Sequence, residues 1–450
     1  MEIPQALEGI VANIEKAGGQ PYLVGGAVID LLRGMPAKDF DIEVYRLSLN
    51  DLKNILSAHG RPNLVGESFG IIKLRIGDSE YDFNIPRKES RIGVGHTDFK
   101  VDFVPDISLE EAALRRDLTI NSMCIDLRNG TLHDFFNGRQ DLQAGIIRHT
   151  SEKFSEDPLR VLRVMQLLAR KGKAVAPETL ELCRHLAGQY ETIAKERIFE
   201  EWNKLLMKAE KPSMGLQFLL DCEWIKYYPE LDALRDTPQK YEWHPEGTVW
   251  NHTLLATDAA AQLREKLPEE WKRAYMYGVM LHDVGKPSTT SEELTSHGHA
   301  EKGAPIAKQF MRRLTDDVDL IDKVFTIVHD HLRPGQLCRS GAPESAWKRL
   351  HNDIPLNVIA YVSKADSTGR AGRSHDDLHM PSELALKYFE KYGAKKIPPV
   401  LMGRDLIAAG YAPGKIFGEV LSEAYQIQID EGIADKNVLL DRVKHLLCQI

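Results

Sequence analysis

The periodicity of this chain changes character once, and that change limits the possible fold more than any other feature. Up to about residue 150, short β-rich runs (PYLVGG, FDIEVY, FGIIKLRI, SEYDFNI, INSMCIDL, GTLHDFF) alternate with the helical patterns ALEGIVANIEKAG, AVIDLLRG and LNDLKNILSAHG. From Ser155 onward the 3.6-residue period of amphipathic helices dominates and strand signals nearly vanish. The expected fold is an α/β head over residues 1–150, with a mixed sheet of about five strands, followed by an all-α remainder. Turn formers and aromatics in DTPQKYEWHPEGTVW, and the break GAKKIPPVLMG, divide that remainder into residues 151–240, 241–392 and a helical tail, 393–450. Ser155 is the expected N-cap of the first long helix, with Glu156 and Asp157 in its first turn and Pro158 tolerated there.

Within the head, YLVGGAVIDLLRGMPAKDFDIEVY (residues 22–45) raises a chemical question. On a strand, Asp39 and Asp41 project to one side. Two such carboxylates repel each other unless a cation sits between them, and oxygen ligands suit Mg²⁺. A neighbouring strand would add Asp82 from EYDFN. Gly25 and Gly26, at a strand-to-helix turn, would turn backbone N–H groups toward an anionic ligand. Together these parts describe a site for a nucleoside triphosphate and its metals. Taken singly, a DxD triplet is more often surface charge and a GG pair a simple turn.

Charge and composition narrow the classes. A net charge of −8 counts against a protein that simply coats nucleic acid, though not against a local basic stripe. LRVLRVMQLLARKGK (159–173) is one, carrying Arg160, Arg163, Arg170, Lys171 and Lys173 with no acid; a solvated helix face is the plainer reading. No run of eighteen apolar residues and no basic-then-apolar start occur, so neither a membrane span nor a signal peptide is expected. Cys124, Cys183, Cys222, Cys338 and Cys448 are scattered and never spaced CxxC, which suits a reducing, cytoplasmic setting and argues against a zinc ribbon.

Four further segments carry a family resemblance: LEEAALRRDLTINSMCIDL (109–127), DFFNGRQDL (134–142), SEDPLRVLR (155–163) and ERIFEEWNKLL (196–206). With the GG and DxD pair, their order resembles class II tRNA nucleotidyltransferases, the CCA-adding enzymes of the polymerase-β superfamily. The resemblance implies a polymerase-β-like nucleotidyltransferase head and a helical neck and body for base selection and tRNA binding. It implies metal binding by Asp39 and Asp41, triphosphate contact at Gly25 and Gly26, and phosphate and ribose contact by Arg115, Arg116 and Asp117. Glu156 would support the site, Asp157 and Arg160 would read the base, and Arg163 would contact nucleotide or phosphate. One position departs from the family pattern GGxVRD: Ile29 stands where Arg is usual, while Asp30 is kept.

Base reading by Asp157 and Arg160 also follows from chemistry. Three apart on a helix, they would share a face, one accepting and one donating hydrogen bonds. Cytosine and adenine both offer an amine beside a bare ring nitrogen; uracil and guanine reverse that order, so a mismatch strands buried polar groups. Arg170, Lys171 and Lys173 are the RNA-phosphate candidates. IPRKESRIGVGHTDFKVDFVPD (85–106) falls where the family has a flexible loop affecting the switch from C to A; Arg87, Lys88 and Arg91 are equally a solvated edge.

A second constellation follows in WNHTLLATDAAAQL, YMYGVMLHDVGKP, SHGHAEKGAP, TIVHDHLRP and SKADSTGR. His252, His282, Asp283, His299, His329 and Asp366 would converge from successive helices on one or two divalent metals. Their order resembles the HD phosphohydrolase superfamily, and a bacterial subgroup of CCA-adding enzymes carries such an all-α HD domain, associated with phosphatase and cyclic phosphodiesterase action. The resemblance thus implies CCA addition to tRNA 3′ ends from CTP and ATP, with Mg²⁺ at the first site and a divalent metal of unspecified identity at the second. Narrower outputs of the same fold (A-only, CC-only or poly(A) addition) stay open, as does an HD phosphohydrolase with an RNA-binding N-terminal domain.

Overall fold

The computed structural model describes residues 5–37, 39–65, 70–77, 79–91, 99–370 and 375–447. It divides into two compact units, Met1–Ala209 with Met214–Tyr227, and Glu210–Ser213 with Tyr228–Ile450.

Beside a two-residue parallel pair, Ile146–Ile147 with Ala174–Val175, the described residues of the first unit hold nine strands: β1 Gln20–Val24, β2 Phe40–Tyr45, β3 Asn63–Val65, β4 Ile71–Ile76, β5 Ser79–Asn84, β6 Arg87–Arg91, β7 Phe99–Phe103, β8 Cys124–Asp126 and β9 Leu132–His133. Seven of them form one sheet in the order β3-β4-β5-β2-β1-β8-β9, while β6 and β7 pair as a separate antiparallel hairpin. The sheet is mixed because β2 and β5 run parallel amid antiparallel neighbours. It has seven strands where about five were expected; the additions are short edge pieces of two or three residues, too brief for an alternating pattern to show.

The alternation along β2 explains how this sheet is two-faced. Ile42 and Val44 point into a core with Leu23, Ile72, Leu74, Tyr81, Phe83 and Ile125. Two helices, α1 (Gln5–Lys16) and α3 (Leu49–Ser57), seal that face with Leu7, Ile10, Leu52 and Leu56. Between them in sequence, α2 (Gly26–Leu32) adds Ala27 and Val28. The other face carries Tyr22, Val24, Tyr45 and Cys124, packed on Ile107 and the short helix α4 (Leu109–Leu114).

Much of the long motif content serves packing. In RRDLTIN, the turn α5 (Thr119–Ser122) is wholly buried, and Thr119 Oγ1 donates to Asp141 Oδ2 at 2.7 Å. Asp141 lies on α6 (Gly138–Ala144), whose first N–H groups, Gly138 and Arg139, donate to the Asp134 carboxylate at 2.8 and 2.9 Å. A Cβ on Gly138 would lie 2.2 Å from the Thr119 carbonyl oxygen, so glycine is required by close approach.

The helix α7, Leu159–Lys171, starts later than its sequence indicates. Ser155 sits in a 3-10 turn, Glu152–Glu156, and donates to the Glu152 carbonyl. Asp157 is extended (φ −131°, ψ 106°), because a residue before proline is driven out of the helical region. Its carboxylate then accepts the Leu159 N–H at 3.0 Å and does the capping. The four described cysteines are free; Cys448 lies outside the described residues, as do residues 92–98 of the expected loop and the side chains of Lys88 and Arg91.

The second unit is helical, its helices including Val249–Leu263, Glu269–Leu281, His299–Leu314, Val318–Asp330 and Leu356–Thr368. The tail keeps a small core of its own from Leu401, Leu406, Val420, Ala424, Leu439 and Val443. No helix among the described residues is long and apolar enough to cross a membrane.

Gly138→Ala is expected to destabilise the first unit by roughly 1–3 kcal/mol, the usual cost of overpacking. Urea denaturation followed by tryptophan fluorescence, with a lowered midpoint at unchanged slope, checks it.

Candidate functional site

The first site lies on the polar side of β2. Register sets Asp41 opposite Val24 on β1 and beside Asp82 on β5. Asp39, at the bend one residue before β2, lies near enough to act on Asp41. Burial, then the charge of Asp82, and then that of Asp39 push the Asp41 carboxyl up from its ordinary value, with Arg116 working the other way. Such crowding of carboxylate oxygens fits a hard divalent cation. Gly25 stands over it at φ 71°, ψ −142°, and a Cβ there would come within 3.2 Å of Asp41 Oδ2. A Cβ on Gly26 would meet nothing within 4 Å, so open space remains at that turn.

Neighbouring groups join this face. Glu43, two residues beyond Asp41, holds Arg116 Nη2 at 3.2 Å and accepts the Tyr45 hydroxyl at 2.9 Å. Lys73 on β4 bridges Glu80 at 2.7 Å and Asp82 at 3.1 Å. Glu43 and Lys73 were not among the expected site residues, although the D-x-D-x-E spacing of DFDIE already put Glu43 on the acidic side.

Other expected residues gather nearby, several with their hydrogen bonds already committed. Asp117 is buried; Oδ1 accepts from the Leu118 N–H and the Asn121 amide, and Oδ2 from Arg163 Nε at 2.6 Å. Burial would raise its carboxyl, but Arg163 and Asn121 hold it below the ordinary range. Arg115 caps α4, and its carbonyl accepts Arg160 Nη2 at 2.9 Å.

Asp157 and Arg160 do not share a helix face, because Asp157 precedes the helix. Its Oδ2 accepts Arg197 Nη2 at 2.7 Å, while Arg160 Nη1 donates to the Lys153 carbonyl at 2.7 Å. Arg197, from ERIFEEW, is a partner that spacing alone could not reveal, being forty residues away.

The basic stripe is not a row of free cations. Arg163 holds Asp117, Arg170 donates to Gln166 at 2.8 Å, and Lys171 is ion-paired with Asp30. Burial lowers the Arg170 guanidinium from its ordinary value. Lys173 is exposed. Ile29, standing where the family pattern has Arg, is buried.

The second site is an imidazole–carboxylate cluster. His252 Nε2 lies 3.1 Å from Asp366 Oδ1, His282 Nε2 3.3 Å from Asp283 Oδ2, and His299 Nε2 3.3 Å from Asp283 Oδ1. His331 completes it, its Nε2 3.2 Å from that of His299. His329 was expected here and is not: its side chain is 46% exposed, bonds Asp330 at 2.8 Å and stacks on Phe325. Residues two apart on a helix point about 200° apart, so only one of the pair can face inward. The buried stripe Val324, Ile327, Val328 runs on to His331, a signal already present in VFTIVHDH.

This donor set fits divalent metal. The Nδ1 atoms of His282, His299 and His331 lie 2.6–2.7 Å from backbone carbonyls, which leaves each Nε2 lone pair facing the cluster. His252 Nε2 and His282 Nε2 are buried without a hydrogen bond. Two triads, His252–His282–Asp366 and Asp283–His299–His331, have ligand atoms within 4.8 Å of one another. Burial, with His282 and His299 alongside, pushes His331 down to about 3. Against the effect of burial, His282 and Lys286 hold Asp283, and Arg370 and His252 hold Asp366, well below the carboxylate range. A cavity of about 470 Å³ opens onto Asp283, His299, His331 and Asp366, and Lys240, Lys286, Arg339, Arg370 and Glu301 also line it.

Three family models match consecutive stretches of the chain. Residues 21–148 match the family described as "Poly A polymerase head domain", 174–234 "Probable RNA and SrmB- binding site of polymerase A", and 249–371 "HD domain". The Multifunctional CCA protein of Tolumonas auensis is 33% identical over 407 residues, covering 87% of this chain and 93% of that protein. Its counterpart in Vibrio vulnificus is 34% identical over 382 residues, covering 82% and 89%. In fold, the chain is similar to the Bacillus stearothermophilus CCA-adding enzyme in complex with CTP, with TM-score 0.67, 21% identity and full coverage of both chains. The Thermotoga maritima CCA-adding enzyme complexed with tRNA_CCA gives TM-score 0.57 at 19% identity, covering 99% and 96%. With a third of its residues identical across most of its length, the chain belongs to the family of multifunctional CCA proteins.

Proposed function

We propose that this chain adds C, C and A to tRNA 3′ ends from CTP and ATP without a nucleic-acid template, and that its HD domain is a metal-dependent phosphohydrolase. The observation that carries the first part is Asp41, set by strand register beside Asp82 and under the open Gly25-Gly26 turn. CCA-adding enzymes solved with CTP, with ATP and with tRNA support the partners. Work on tRNA ends and the scattered, unpaired cysteines support a cytoplasmic setting. In this reading the chain divides into a nucleotidyltransferase head (1–150), a neck and body (151–240), the HD domain (241–392) and a tail (393–450).

Asp39 and Asp41 would hold Mg²⁺, with Asp82 beside them; bound there, it supplies charge compensation for the triphosphate and the departing pyrophosphate. Gly25 and Gly26 leave the triphosphate room to approach the strand end. Arg115 and Arg116 contribute positive charge, and Asp117 orients Arg163 toward the nucleotide. Base selection falls to Asp157 and Arg160. Each is held by another partner here, so reading a base asks Asp157 to release Arg197 and Arg160 to release two carbonyls. Lys173 is the exposed phosphate contact on this face, with Arg170 and Lys171 secondary to it. In the HD domain, His252, His282, Asp283, His299, His331 and Asp366 would hold one or two divalent cations, which polarise a phosphoester and its attacking water. Lys286 and Arg370, each bound to one of these carboxylates, line the cavity that would take the phosphate.

Four outcomes follow. Asp41→Asn lowers CMP incorporation into tRNA lacking CCA by at least roughly 10²-fold, as expected when several kcal/mol of charge compensation are lost. The same change raises the metal-free unfolding midpoint at pH 8. The raised Asp41 carboxyl opposes folding above its folded pKa and is neutral below its unfolded one, so this gain shrinks toward pH 3. Calorimetric scans in EDTA at both pH values check it. Asp157→Ala narrows the CTP-over-UTP preference by roughly tenfold or more, read from single-nucleotide incorporation. His331→Ala lowers metal-dependent hydrolysis of a 2′,3′-cyclic nucleotide by more than roughly 10-fold, while His329→Ala stays near the parent rate.

A further inference from the structure

The four imidazoles of the HD cluster are not anchored alike. His282, His299 and His331 place Nδ1 on the carbonyls of Val279, Ser296 and Val328, at 2.6, 2.7 and 2.7 Å, each three residues earlier in the chain. Main-chain acceptors of this kind survive any side-chain substitution. His252, in the first turn of the helix Val249–Leu263, instead has Nδ1 2.9 Å from Glu246 Oε1. That carboxylate is 3% exposed, and the same oxygen lies 2.8 Å from His244 Nδ1.

We infer that Glu246 is the positioning residue of the HD metal site, fixing the tautomer and ring orientation of His252 so that Nε2 is a bare lone pair aimed at the cluster. The inference rests on the metal-binding reading above. An imidazole donating Nδ1–H to a carboxylate presents Nε2 as a more basic ligand than one donating to water, and its ring cannot turn without losing that bond. His252 Nε2 is buried, without a hydrogen bond, 3.1 Å from Asp366 Oδ1, as this assignment requires.

The turn that carries Glu246 is held for the purpose. Its carbonyl accepts the Asn251 amide at 2.8 Å, and Gly247 turns the chain at φ 92°. Gln239 holds the exit of the turn twice, its N–H to the Gly247 carbonyl at 2.9 Å and its amide to the Thr248 carbonyl at 3.1 Å. Lys286 then links Gln239 Oε1 to Asp283 Oδ2, 2.7 Å from each. The loop before the helix is thereby braced against the metal-facing carboxylate.

The test uses the full chain carrying Asp39→Ala and Asp41→Ala in every arm, so that Mn²⁺ titrated calorimetrically reports the HD site. Glu246→Ala weakens Mn²⁺ binding roughly 10- to 100-fold, the usual effect of losing an outer partner, with a metal-free unfolding midpoint matching the parent. Weakening of less than tenfold in a folded Glu246→Ala protein overturns the inference. Should Glu246→Ala fail to fold, the similarly sized Glu246→Met, which offers no oxygen to His252 Nδ1–H, decides: weakening beyond threefold supports the assignment and anything smaller defeats it. His244, Glu246 and His252 form a metal triad by distance too, and a cation held there would make His244→Ala as damaging as Glu246→Ala, which also overturns the assignment. If His252→Ala leaves Mn²⁺ affinity intact, the metal site itself is misassigned and the inference falls with it. If His252→Ala weakens binding and Glu246→Ala does not, the inference alone fails.

Discussion

The strand β2 imposes the constraint on which the first unit depends. One side of it must be apolar to close the core and the other presents two acids, Asp41 and Glu43, with Asp39 at the bend just before it. Strand spacing of about 4.8 Å brings Asp82 alongside Asp41. At an effective dielectric constant near 20, such a carboxylate pair repels by about 3 kcal/mol. Burial of Ile42, Val44, Tyr81 and Phe83 on the opposite face contributes about 1.5–3 kcal/mol for each side chain. The core therefore wins, and the acids stay where their mutual repulsion makes a cation welcome. A charge-poor substitute at Asp41 would relax the fold and remove the chemistry together.

The second unit solves a related problem with lone pairs. Four imidazoles meet in a helical core, where an unpaired polar atom is costly. Each ring satisfies one nitrogen at the periphery and leaves the other inward, so the unmet hydrogen-bonding capacity of the cluster is concentrated at its centre. Asp283 and Asp366 supply the negative charge there, themselves braced by Lys286 and Arg370. Polar groups that elsewhere would weaken the core are gathered at one spot, which a divalent cation satisfies.

Sequence made some of this legible and hid the rest for identifiable reasons. Alternation in FDIEVY fixed which side of β2 was acidic, and the helical run ending on His282 and Asp283 marked the second cluster. Where two local rules competed, the reading went astray. At Asp157 an acidic first turn was expected, but the following proline forced an extended conformation and turned that carboxylate into a cap. In the run His329-Asp330-His331 the first histidine was expected, whereas the stripe through Val324 and Val328 points to the last. The cations of α7 looked like a solvated face because their partners, Asp30 and Asp117, are distant in sequence. Glu246 carried no periodic signal at all, since a turn residue acquires meaning only from the ring it meets.

These cases explain why the shared segments are long when the chemistry needs few atoms. In RRDLTIN Arg116 pairs with Glu43 on the acidic side of β2 and Asp117 pairs with Arg163, while the buried Leu118, Thr119, Ile120 and Asn121 hold α6 and Asp117 in place. In SEDPLRVLR, Asp157 caps a helix, Arg160 binds the carbonyls of Lys153 and Arg115, and Arg163 grips Asp117. One string thus encodes both the groups that would meet a nucleotide and the bonds that keep those groups from collapsing onto one another. A change at a buried position such as Asn121 would act on the site through Asp117, by loosening a carboxylate that is held by three donors, rather than by touching substrate.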